Sequence, residues 1–388
     1  MTRKIAPKIL CVVGARPNFM KIAPIIDALA TSPLQVRLVH TGQHYDEAMK
    51  HQFFNQLGIP RPDMDLEVGS GSHAIQTAEV MRRFEPVVDM EEPDAILVVG
   101  DVNSTIACAL VASKKDIPVI HVEAGLRSYD RTMPEEINRV LTDQISDLLF
   151  TTERSARDNL LREGIADERI HFVGNVMIDT LLRHVKQAVP VEQVLSGLAN
   201  ASVFLQSNTG YGVLTLHRPS NVDDPVVLER LLVTLRNISE HLPLIFPVHP
   251  RTESRIKALG LESLLATPRI QRLPPQGYLE MLGLMSRARL VLTDSGGIQE
   301  ETTALGVPCI TLRESTERPI TVEQGTNTIV GTDPEKIIFV TNEILSKGGK
   351  AGQVPELWDG RAAQRIAVIL EKWLKGTSIT PLKPQWRR

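Results

Sequence analysis

The chain has 388 residues, of which 42% are hydrophobic, 23% charged and 4% aromatic. This length is sufficient for two or three domains, and the composition is that of a folded, aliphatic-rich protein and not of a disordered one. The 43 Lys and Arg residues nearly balance the 46 Asp and Glu residues, so the formal net charge is −3. This balance argues against bulk nucleic-acid binding, although a few local basic residues can still meet a small anionic substrate.

The cysteine pattern and the apolar runs indicate where the protein resides. Cys11, Cys108 and Cys309 lie far apart and show no CxxC spacing, so neither a disulfide framework nor a zinc site is expected. The first residues contain only about five consecutive apolar residues, whereas a signal-peptide core has roughly 7–15. No later run approaches the ~18 apolar residues of a membrane span. We therefore expect a cytoplasmic protein without a membrane association.

Short β-branched runs that end in Gly, Asp, His or Glu recur along the chain, and each precedes a segment of helical periodicity. This alternation predicts βα units on parallel sheets. Six strands, a weaker segment at 178–208 and six further strands predict two doubly wound domains and not one (β/α)₈ barrel. The strands are predicted at 8–14, 36–42, 95–101, 118–123, 148–152 and 169–174, and then at 211–217, 244–249, 269–273, 290–294, 308–313 and 328–331.

These strands predict an N-terminal Rossmann-like domain over 1–177 and a C-terminal one over 178–360. The segment 361–375 shows helical periodicity with a broad apolar face that must pack on other parts of the protein. The tail 377–388 is predicted to be poorly ordered and is given no function. The apolar positions of the predicted helix are Ala363, Ile366, Val368, Ile369, Leu370, Trp373 and Leu374.

Ligands of parallel α/β sheets bind beyond the carboxyl ends of the strands, so the residues that follow each strand are informative. The first strand leads into GARPNFMK at 14–21. Arg16 and Lys21 would lie at a helix N-terminus, which attracts a phosphate or carboxylate. The alternative is that both are solvated charges beside a turn. Because the motif is not GxGxxG, it indicates dinucleotide binding only weakly.

Carboxylates follow two further strands of the first domain. Asp101 could either cap the next helix or act as a catalyst. Glu123 is predicted on the same face of its strand as His121, where an unpaired carboxylate would be costly, and this favours a functional role. Glu135 and Glu136 begin a predicted helix, whose dipole explains one of them without chemistry.

In the second domain, His217 and Arg218 end a strand and can donate hydrogen bonds to anionic oxygens. For His249 a structural role is favoured over a catalytic one. The most informative motif is TDSGGIQEE at 293–301, because a strand that runs into Ser-Gly-Gly at a helix start lets a diphosphate approach the backbone closely. Glu301 could then reach a pair of ribose hydroxyls.

These motifs, in this order, closely resemble those of the non-hydrolysing UDP-N-acetylglucosamine 2-epimerases. The match extends from Lys8 to about Gly331. The resemblance implies the GT-B fold, in which two Rossmann-like domains face a cleft and a last helix, here about 361–388, crosses back to the N-terminal domain. The matching blocks are GARPxxxK, GD at 100–101, HVEAGLR at 121–127, PEExNR at 134–139, HR at 217–218, TDSGGIQEE at 293–301 and TERP at 316–319.

The resemblance implies reversible inversion at C2 of UDP-N-acetylglucosamine, through anti elimination of UDP, a 2-acetamidoglucal and re-addition. It implies that Asp101, Glu123 and Glu135 are the catalytic acids, with Lys21 and His217 beside the sugar and the phosphates. No metal and no cofactor are implied, and the expected partners are a UDP-sugar substrate and a second copy in a homodimer. The positions implied to contact UDP are Arg16, Lys21, His217, Gln276, Met281, Ser295, Gly296, Gly297, Glu301 and Arg318.

The chain departs from the family pattern at Asn18, where Glu is common, and at Met281, where an aromatic residue is common near the uracil. GARPxFxK also occurs in relatives that epimerise UDP-2,3-diacetamido sugars, so such a sugar is an alternative substrate. A hydrolysing 2-epimerase, a GT-B glycosyltransferase and a non-catalytic sensor are further alternatives, although three carboxylates in the first domain favour epimerisation. Some relatives bind a second UDP-N-acetylglucosamine as an activator. The matching positions are Gln43, Glu135, Arg218 and His249, whereas 69–72 lacks the arginine of that site.

Overall fold

The computed structural model describes residues 6–43 and 47–376. The chain divides into two compact units, one formed by the residues up to Thr180 together with those from Glu356 onward, the other by Leu181–Pro355. The tail 377–388, predicted to be poorly ordered, lies outside the described residues. No helix among the described residues combines the length and the apolar character needed to span a bilayer.

The first unit is built on a parallel sheet of seven strands in the order β3-β2-β1-β4-β5-β6-β7. The six predicted strands are present, and the seventh, β3, was missed because it has only two residues and no apolar run. The strands are β1 (Lys8–Val13), β2 (Gln35–His40), β3 (Met64–Asp65), β4 (Ala95–Val99), β5 (Val119–Val122), β6 (Leu148–Thr151) and β7 (Ile170–Phe172).

Helices connect these strands and cover both faces of the sheet, which is why β4 and β5 are buried along their whole length. The last of these helices, α7, leads the chain into the second unit. The helices are α1 (Arg16–Leu29), α2 (Glu47–Leu57), α3 (His73–Glu91), α4 (Asn103–Lys114), α5 (Pro134–Ile145), α6 (Arg154–Arg162) and α7 (Val176–His184), with a short 3₁₀ helix at Asp167–Arg169.

The second unit repeats the same arrangement with six parallel strands in the order β10-β9-β8-β11-β12-β13. All six were predicted from the sequence. The strands are β8 (Gly212–Thr215), β9 (Leu244–Pro247), β10 (Ile270–Leu273), β11 (Leu290–Thr293), β12 (Cys309–Thr311) and β13 (Asn327–Ile329).

Each face of the second sheet has its own hydrophobic cluster. One cluster contains Leu228, Leu232 and Ile337 from helices on one side, and the other contains Val191 and Leu284 from helices on the opposite side. The helices are α8 (Val191–Val194), α9 (Ala201–Leu205), α10 (Pro219–Val222), α11 (Pro225–Ser239), α12 (Pro250–Ala258), α13 (Tyr278–Ser286), α14 (Gly296–Leu305), α15 (Ile320–Glu323) and α16 (Pro334–Lys347), with 3₁₀ helices at Val185–Gln187 and Glu262–Leu265.

The last helix, α17 (Ala362–Gly376), returns to the first unit and packs against α1. The backbone N–H groups of Ala362 and Ala363 donate hydrogen bonds to the carboxylate of Asp179, at 3.1 and 2.7 Å. The predicted return of the last helix is therefore confirmed. The buried face is narrower than predicted, because Val368 is 51% exposed.

Both sheets have the same topological switch point, which decides where a ligand can bind. In the first unit, the connections that follow β1 and β4 lead in opposite directions along the sheet. In the second unit, the same is true of the connections that follow β8 and β11. The crevice at the carboxyl ends of such a strand pair is the usual ligand site of doubly wound sheets. The segments that the sequence singled out, 14–21 and 100–101 in one unit and 217–218 and 294–297 in the other, follow these four strands.

Candidate functional site

Asp101 does not cap a helix. The helix that follows it, α4, begins at Asn103 with Val102 as its N-cap residue, so capping is excluded as the role of Asp101. Its carboxylate Oδ2 instead accepts hydrogen bonds from Nη2 and Nε of Arg139 at 2.5 and 3.2 Å, and its side chain is 23% exposed. A guanidinium thus holds this carboxylate by charge-assisted bonds while part of it remains accessible.

Glu123 lies beyond its strand and not within it. We predicted that it would share a strand face with His121, but β5 ends at Val122 and Glu123 has a φ of 72°, in the left-handed region. The prediction was wrong because strand alternation stops where the backbone turns. The side chain of Glu123 is buried and forms an ion pair with Lys21, which is also buried. Lys21 is therefore not a solvated charge, and each of the two groups neutralises the other.

Gly100 brings the ion pair close to Asp101. Its φ is 68°, and a β-carbon at this position would lie 2.7 Å from Nζ of Lys21 and 3.4 Å from Oε2 of Glu123. The missing side chain allows the pair to lie against the backbone immediately before Asp101. The structure thus brings together Lys21, Asp101 and Glu123, which the sequence had placed on three separate segments.

Asn18 holds the backbone of this site. Its Oδ1 accepts hydrogen bonds from the N–H groups of Gly14 and Ala15 at 3.1 and 3.0 Å, and its Nδ2 donates to the carbonyl of Val99 at 2.9 Å. An amide can both accept and donate in this way, whereas an ionised carboxylate can only accept. Sequence reasoning treated Asn18 as a departure from the family pattern and missed that it ties the end of β1 to the end of β4.

The two glutamates at the start of α5 differ in role. Glu136 is buried and accepts hydrogen bonds from N–H and Oγ of Ser128, from the N–H of Tyr129 and from Nη1 of Arg139, at 2.7–2.9 Å. It therefore organises the loop before the helix. Glu135 lies half-buried in the same first turn. Its assignment as a catalytic acid stays a prediction.

Two other predicted residues of the first unit have defined surroundings. The guanidinium of Arg16, the first residue of α1, lies 4.5 Å from the ring centroid of Phe53. Gln43 is buried, and its Oε1 accepts hydrogen bonds from the N–H and the Oγ of Ser104 at 3.2 and 2.7 Å. Contacts of Arg16 with UDP and of Gln43 with an activator stay predictions.

In the second unit, Asp294 connects the ends of β8 and β11. This fully buried carboxylate accepts hydrogen bonds from the N–H groups of His217 and Arg218 and lies 2.9 Å from Nδ1 of His217. Burial alone would raise the pKa of Asp294, but the charge and hydrogen bonds of His217 and the N–H of Arg218 outweigh it and hold the pKa below its usual range.

An ionised Asp294 determines how His217 is presented. Because a carboxylate only accepts, Nδ1 of His217 must donate, and Nε2 is then the nitrogen available to a ligand. The side chain of His217 is 36% exposed. Asp294 belongs to a motif singled out in the sequence, but this role of its carboxylate was not predicted. Its position one residue after a buried strand, beside Ser-Gly-Gly, was the signal available.

The start of α14 has the features expected of an anion site. Ser295 is the N-cap residue, its side chain makes no capping hydrogen bond, and the helix begins with Gly296 and Gly297. A β-carbon on Gly296 would lie 2.9 Å from Cζ of Arg318 and 2.5 Å from Oε1 of Glu317. The glycine thus allows the guanidinium of Arg318 to lie directly against the N-terminus of α14. The guanidinium and the helix N-terminus each favour an anion at this place.

A buried network of charges surrounds Arg318. Its Nε lies 3.0 Å from Oε2 of Glu300, and its guanidinium pairs with Glu317. Glu317 also accepts a hydrogen bond from Nη2 of Arg313 at 2.8 Å and lies 3.8 Å from Nη2 of Arg218. Three guanidinium groups against two carboxylates leave this set positive. Such a set suits a pyrophosphate better than a neutral ligand.

The remaining predicted residues of the second unit are partly or fully buried. Met281 belongs to a hydrophobic cluster, and Nε2 of Gln276 donates to the carbonyl of Pro274 at 2.7 Å. Glu301 is buried beside Tyr278, whose pKa is raised well above its usual value first by burial and then by Glu301. The predicted contacts of Gln276, Met281 and Glu301 with UDP stay predictions.

His249 caps a helix of the second unit. It is the N-cap residue of α12, and its Nδ1 accepts a hydrogen bond from the N–H of Arg251 at 3.2 Å. Its ring centroid lies 5.7 Å from that of His217. The structural role favoured from the sequence is therefore present, while binding of an activator by Arg218 and His249 stays a prediction.

No metal site is evident in the part of the chain that the structure describes. Over residues 6–43 and 47–376, no group of three His, Cys, Asp or Glu side chains is arranged to hold a metal ion. All three cysteines are free and buried.

Comparisons with known proteins point to one family. The family model for UDP-N-acetylglucosamine 2-epimerase matches residues 27–371. A Methanococcus maripaludis protein named UDP-N-acetylglucosamine 2-epimerase is 45% identical over 341 residues, which cover 87% of this chain and 92% of that protein. A Pseudomonas aeruginosa protein named UDP-2,3-diacetamido-2,3-dideoxy-D-glucuronate 2-epimerase is 42% identical over 370 residues, covering 94% and 99%.

A solved structure shows the same similarity in three dimensions. The crystal structure of Methanocaldococcus jannaschii UDP-GlcNAc 2-epimerase in complex with UDP-GlcNAc and UDP matches this chain with a TM-score of 0.85 at 44% identity. The match covers 94% of this chain and 99% of the other.

Proposed function

Because the chain belongs to the UDP-N-acetylglucosamine 2-epimerase family, we propose that it catalyses the reversible C2 epimerisation of UDP-N-acetylglucosamine to UDP-N-acetylmannosamine. The observation that carries the proposal is the buried Lys21–Glu123 ion pair beside the partly exposed carboxylate of Asp101. A buried carboxylate is costly to a fold, and the position of Glu123 at a switch point near a second carboxylate supports proton transfer as its role.

The reaction requires a base, a leaving group and a second proton transfer. A carboxylate removes the C2 proton, the electron pair of the C–H bond forms the C1=C2 bond, and UDP leaves with the electrons of its bond to C1. Protonation of the 2-acetamidoglucal on the other face and re-addition of UDP complete the inversion without net oxidation. Asp101, Glu123 and Glu135 are the proposed acids and bases.

The second unit is proposed to hold the UDP. Amides at the start of α14 and the guanidinium of Arg318 would bind the pyrophosphate, with Glu301 on the ribose and His217 oriented by Asp294. Since UDP leaves as an anion, donors fixed before the reaction lower the barrier to elimination. We propose that no metal or other cofactor takes part and that the enzyme acts as a homodimer in the cytoplasm.

A related UDP-sugar is the second candidate substrate. The relative named for a UDP-2,3-diacetamido sugar is 42% identical to this chain, close to the 45% of the relative named for UDP-N-acetylglucosamine. The two reactions share the elimination at C2 and differ in the substituents that the sugar pocket must accept. Direct comparison of the two substrates therefore decides between them.

The decisive experiment is incubation of the purified protein with each UDP-sugar in deuterated water, followed by NMR and nucleotide analysis. Deuterium at C2 together with the epimer of UDP-N-acetylglucosamine supports the main proposal. Exchange with the diacetamido sugar alone would identify that sugar as the substrate. Stoichiometric free UDP instead indicates a hydrolysing enzyme. Absence of exchange with both sugars refutes epimerisation and favours a transferase or a sensor.

Two substitutions test the roles of the acids. Asp101→Asn and Glu123→Gln should each abolish deuterium exchange while leaving UDP binding largely intact, because most of the proposed UDP-binding residues, including those for the pyrophosphate and the ribose, lie in the other unit. Asp89→Asn is the matched control, since this carboxylate of α3 is 62% exposed and pairs with Lys115 at the surface. Loss of UDP affinity in both active-site variants would contradict their assignment.

A further inference from the structure

His121, the third residue of β5, is fully buried between two hydrogen-bond acceptors. Its Nε2 lies 2.9 Å from the carbonyl oxygen of Gly100, and its Nδ1 lies 2.6 Å from Oδ1 of Asp143. A backbone carbonyl can only accept, so Nε2 must carry a hydrogen. Whether Nδ1 also carries a hydrogen then depends on Asp143.

Hydrogen-bond donors surround Oδ2 of Asp143. It is fully buried, its Oδ2 accepts a hydrogen bond from the N–H of Gly125 at 3.0 Å, and Nη2 of Arg127 lies 2.7 Å from the same oxygen. If His121 carried a hydrogen on Nε2 alone, the lone pair of Nδ1 would face a carboxylate oxygen at 2.6 Å in the protein interior. Such a contact between two acceptors is strongly unfavourable where water cannot intervene.

The charges near His121 also favour a ring with both nitrogens protonated. Arg127 bridges Asp143 and Glu163, with Nη2 2.7 Å from the first carboxylate and 2.6 Å from the second. Two carboxylates against one guanidinium leave one negative charge, and an imidazolium at His121 neutralises it. Buried ionic groups persist where every charge is paired in this way.

We propose that His121 is a positioning residue that, with both ring nitrogens protonated, fixes the distance between the two carboxylates Asp101 and Glu123. Its Nε2–H holds the carbonyl of the peptide that joins Gly100 to Asp101, and its own strand ends immediately before Glu123. The amide of Asn138 holds the carbonyl of Asp101 at 2.9 Å, so two successive carbonyls of this loop are fixed. The catalytic consequence rests on the proposed function, whereas the protonation of His121 does not.

Charged groups approach His121 from several elements. Asp143 of α5 is its direct partner, and Arg127, from the segment after β5, pairs with Asp143. Around Gly100, with which Nε2 bonds, lie further charges that the ring does not contact directly. These are Lys21 of α1, Glu123 after β5, and Asp101 with its partner Arg139 of α5.

The first test measures the protons of His121 directly. The full chain is labelled with ¹⁵N-histidine, and two-bond ¹H–¹⁵N correlations are recorded at about pH 7.5, where an unperturbed histidine is mostly neutral. His121→Gln identifies the signals by their disappearance. Two protonated nitrogens on His121 are expected. One unprotonated nitrogen would overturn the proposal, whatever substrate the enzyme uses.

The second test measures catalysis with the substrate that shows C2 exchange. In His121→Gln, kcat should fall on the order of 100-fold because the two carboxylates are displaced, while KM and UDP affinity change by less than about threefold. His171→Gln is the matched control on β7 of the same unit and should retain kcat. A kcat of His121→Gln close to that of the control would refute the positioning role.

Asp143→Asn provides a second variant should His121→Gln fail to fold. It preserves the shape of the partner and removes its charge, so His121 should lose one of its two protons and kcat should fall while KM is retained. Two retained protons, or an unchanged kcat, would contradict the proposal. Should the wild type show no C2 exchange with either sugar, the proposed function fails, and the NMR result still decides whether His121 is doubly protonated.

Discussion

The attachment of α17 to the first unit should depend on pH through Asp179. This carboxylate of α7 accepts the N–H groups of Ala362 and Ala363 at the start of α17. Burial raises the pKa of Asp179 to about 6, in spite of these two donors, and nearby Asp359 also raises it. The perturbation is Asp179→Asn, which keeps the shape and one acceptor but removes the titrating group.

The sign and size of the effect follow from the two protonation equilibria. The pKa is about 6 in the folded protein against an ordinary value of 3.8, so the folded state holds the proton more tightly. The stability contributed by this group is therefore complete below about pH 4 and is lost as the pH rises through 6. At about 1.4 kcal/mol per pH unit, the difference corresponds to about 3 kcal/mol. As the pH rises from below about 4 to above about 6, the free energy of unfolding of the wild type should fall by this amount relative to that of Asp179→Asn.

Tryptophan fluorescence during urea unfolding is suited to this measurement. No tryptophan lies within Leu181–Pro355, and Trp358 and Trp373 belong to the first unit, so a change in their emission reports on that unit. The third, Trp386, lies outside the described residues. Trp358 is 2% exposed and donates its indole N–H to the carbonyl of Thr152, so unfolding must change its surroundings. Both proteins are compared at about pH 4 and pH 7, with Asp89→Asn as a surface control. A difference in unfolding free energy that does not change with pH would refute the reasoning.

Two further substitutions test the charged sites. Glu123→Gln should destabilise the first unit by about 3 kcal/mol in the same urea assay because it leaves the ammonium of Lys21 buried without its partner. Adding Lys21→Met should recover most of this loss, and equal stability of Glu123→Gln and the wild type would contradict the pairing. Gly296→Ala should weaken UDP binding about tenfold in calorimetry, because the new methyl group displaces Arg318 and removes about one charge-assisted hydrogen bond. Unchanged UDP affinity would show that Arg318 does not bind the ligand.

The fold could largely be predicted from the sequence because parallel strands covered on both faces form uninterrupted apolar runs. Twelve of the thirteen strands in the described part of the chain were predicted in this way. Only β3 was missed, since two residues without an apolar run leave no periodic signal. The residues that follow strands β1, β4, β8 and β11 could also be named in advance, because strand ends define the ligand side of such sheets.

The partners of those residues could not be predicted, because they come from distant parts of the chain. Glu123 pairs with Lys21, and Asp294 bonds His217, across 102 and 77 positions of sequence respectively. Hydrophobic periodicity reports which face of an element is buried, but it carries no information about which polar groups meet there. The amino-acid sequence by itself therefore determined the architecture and the candidate acids. Tertiary packing decided which side chains are buried, paired and protonated, since those properties depend on contacts that form only when the strands align.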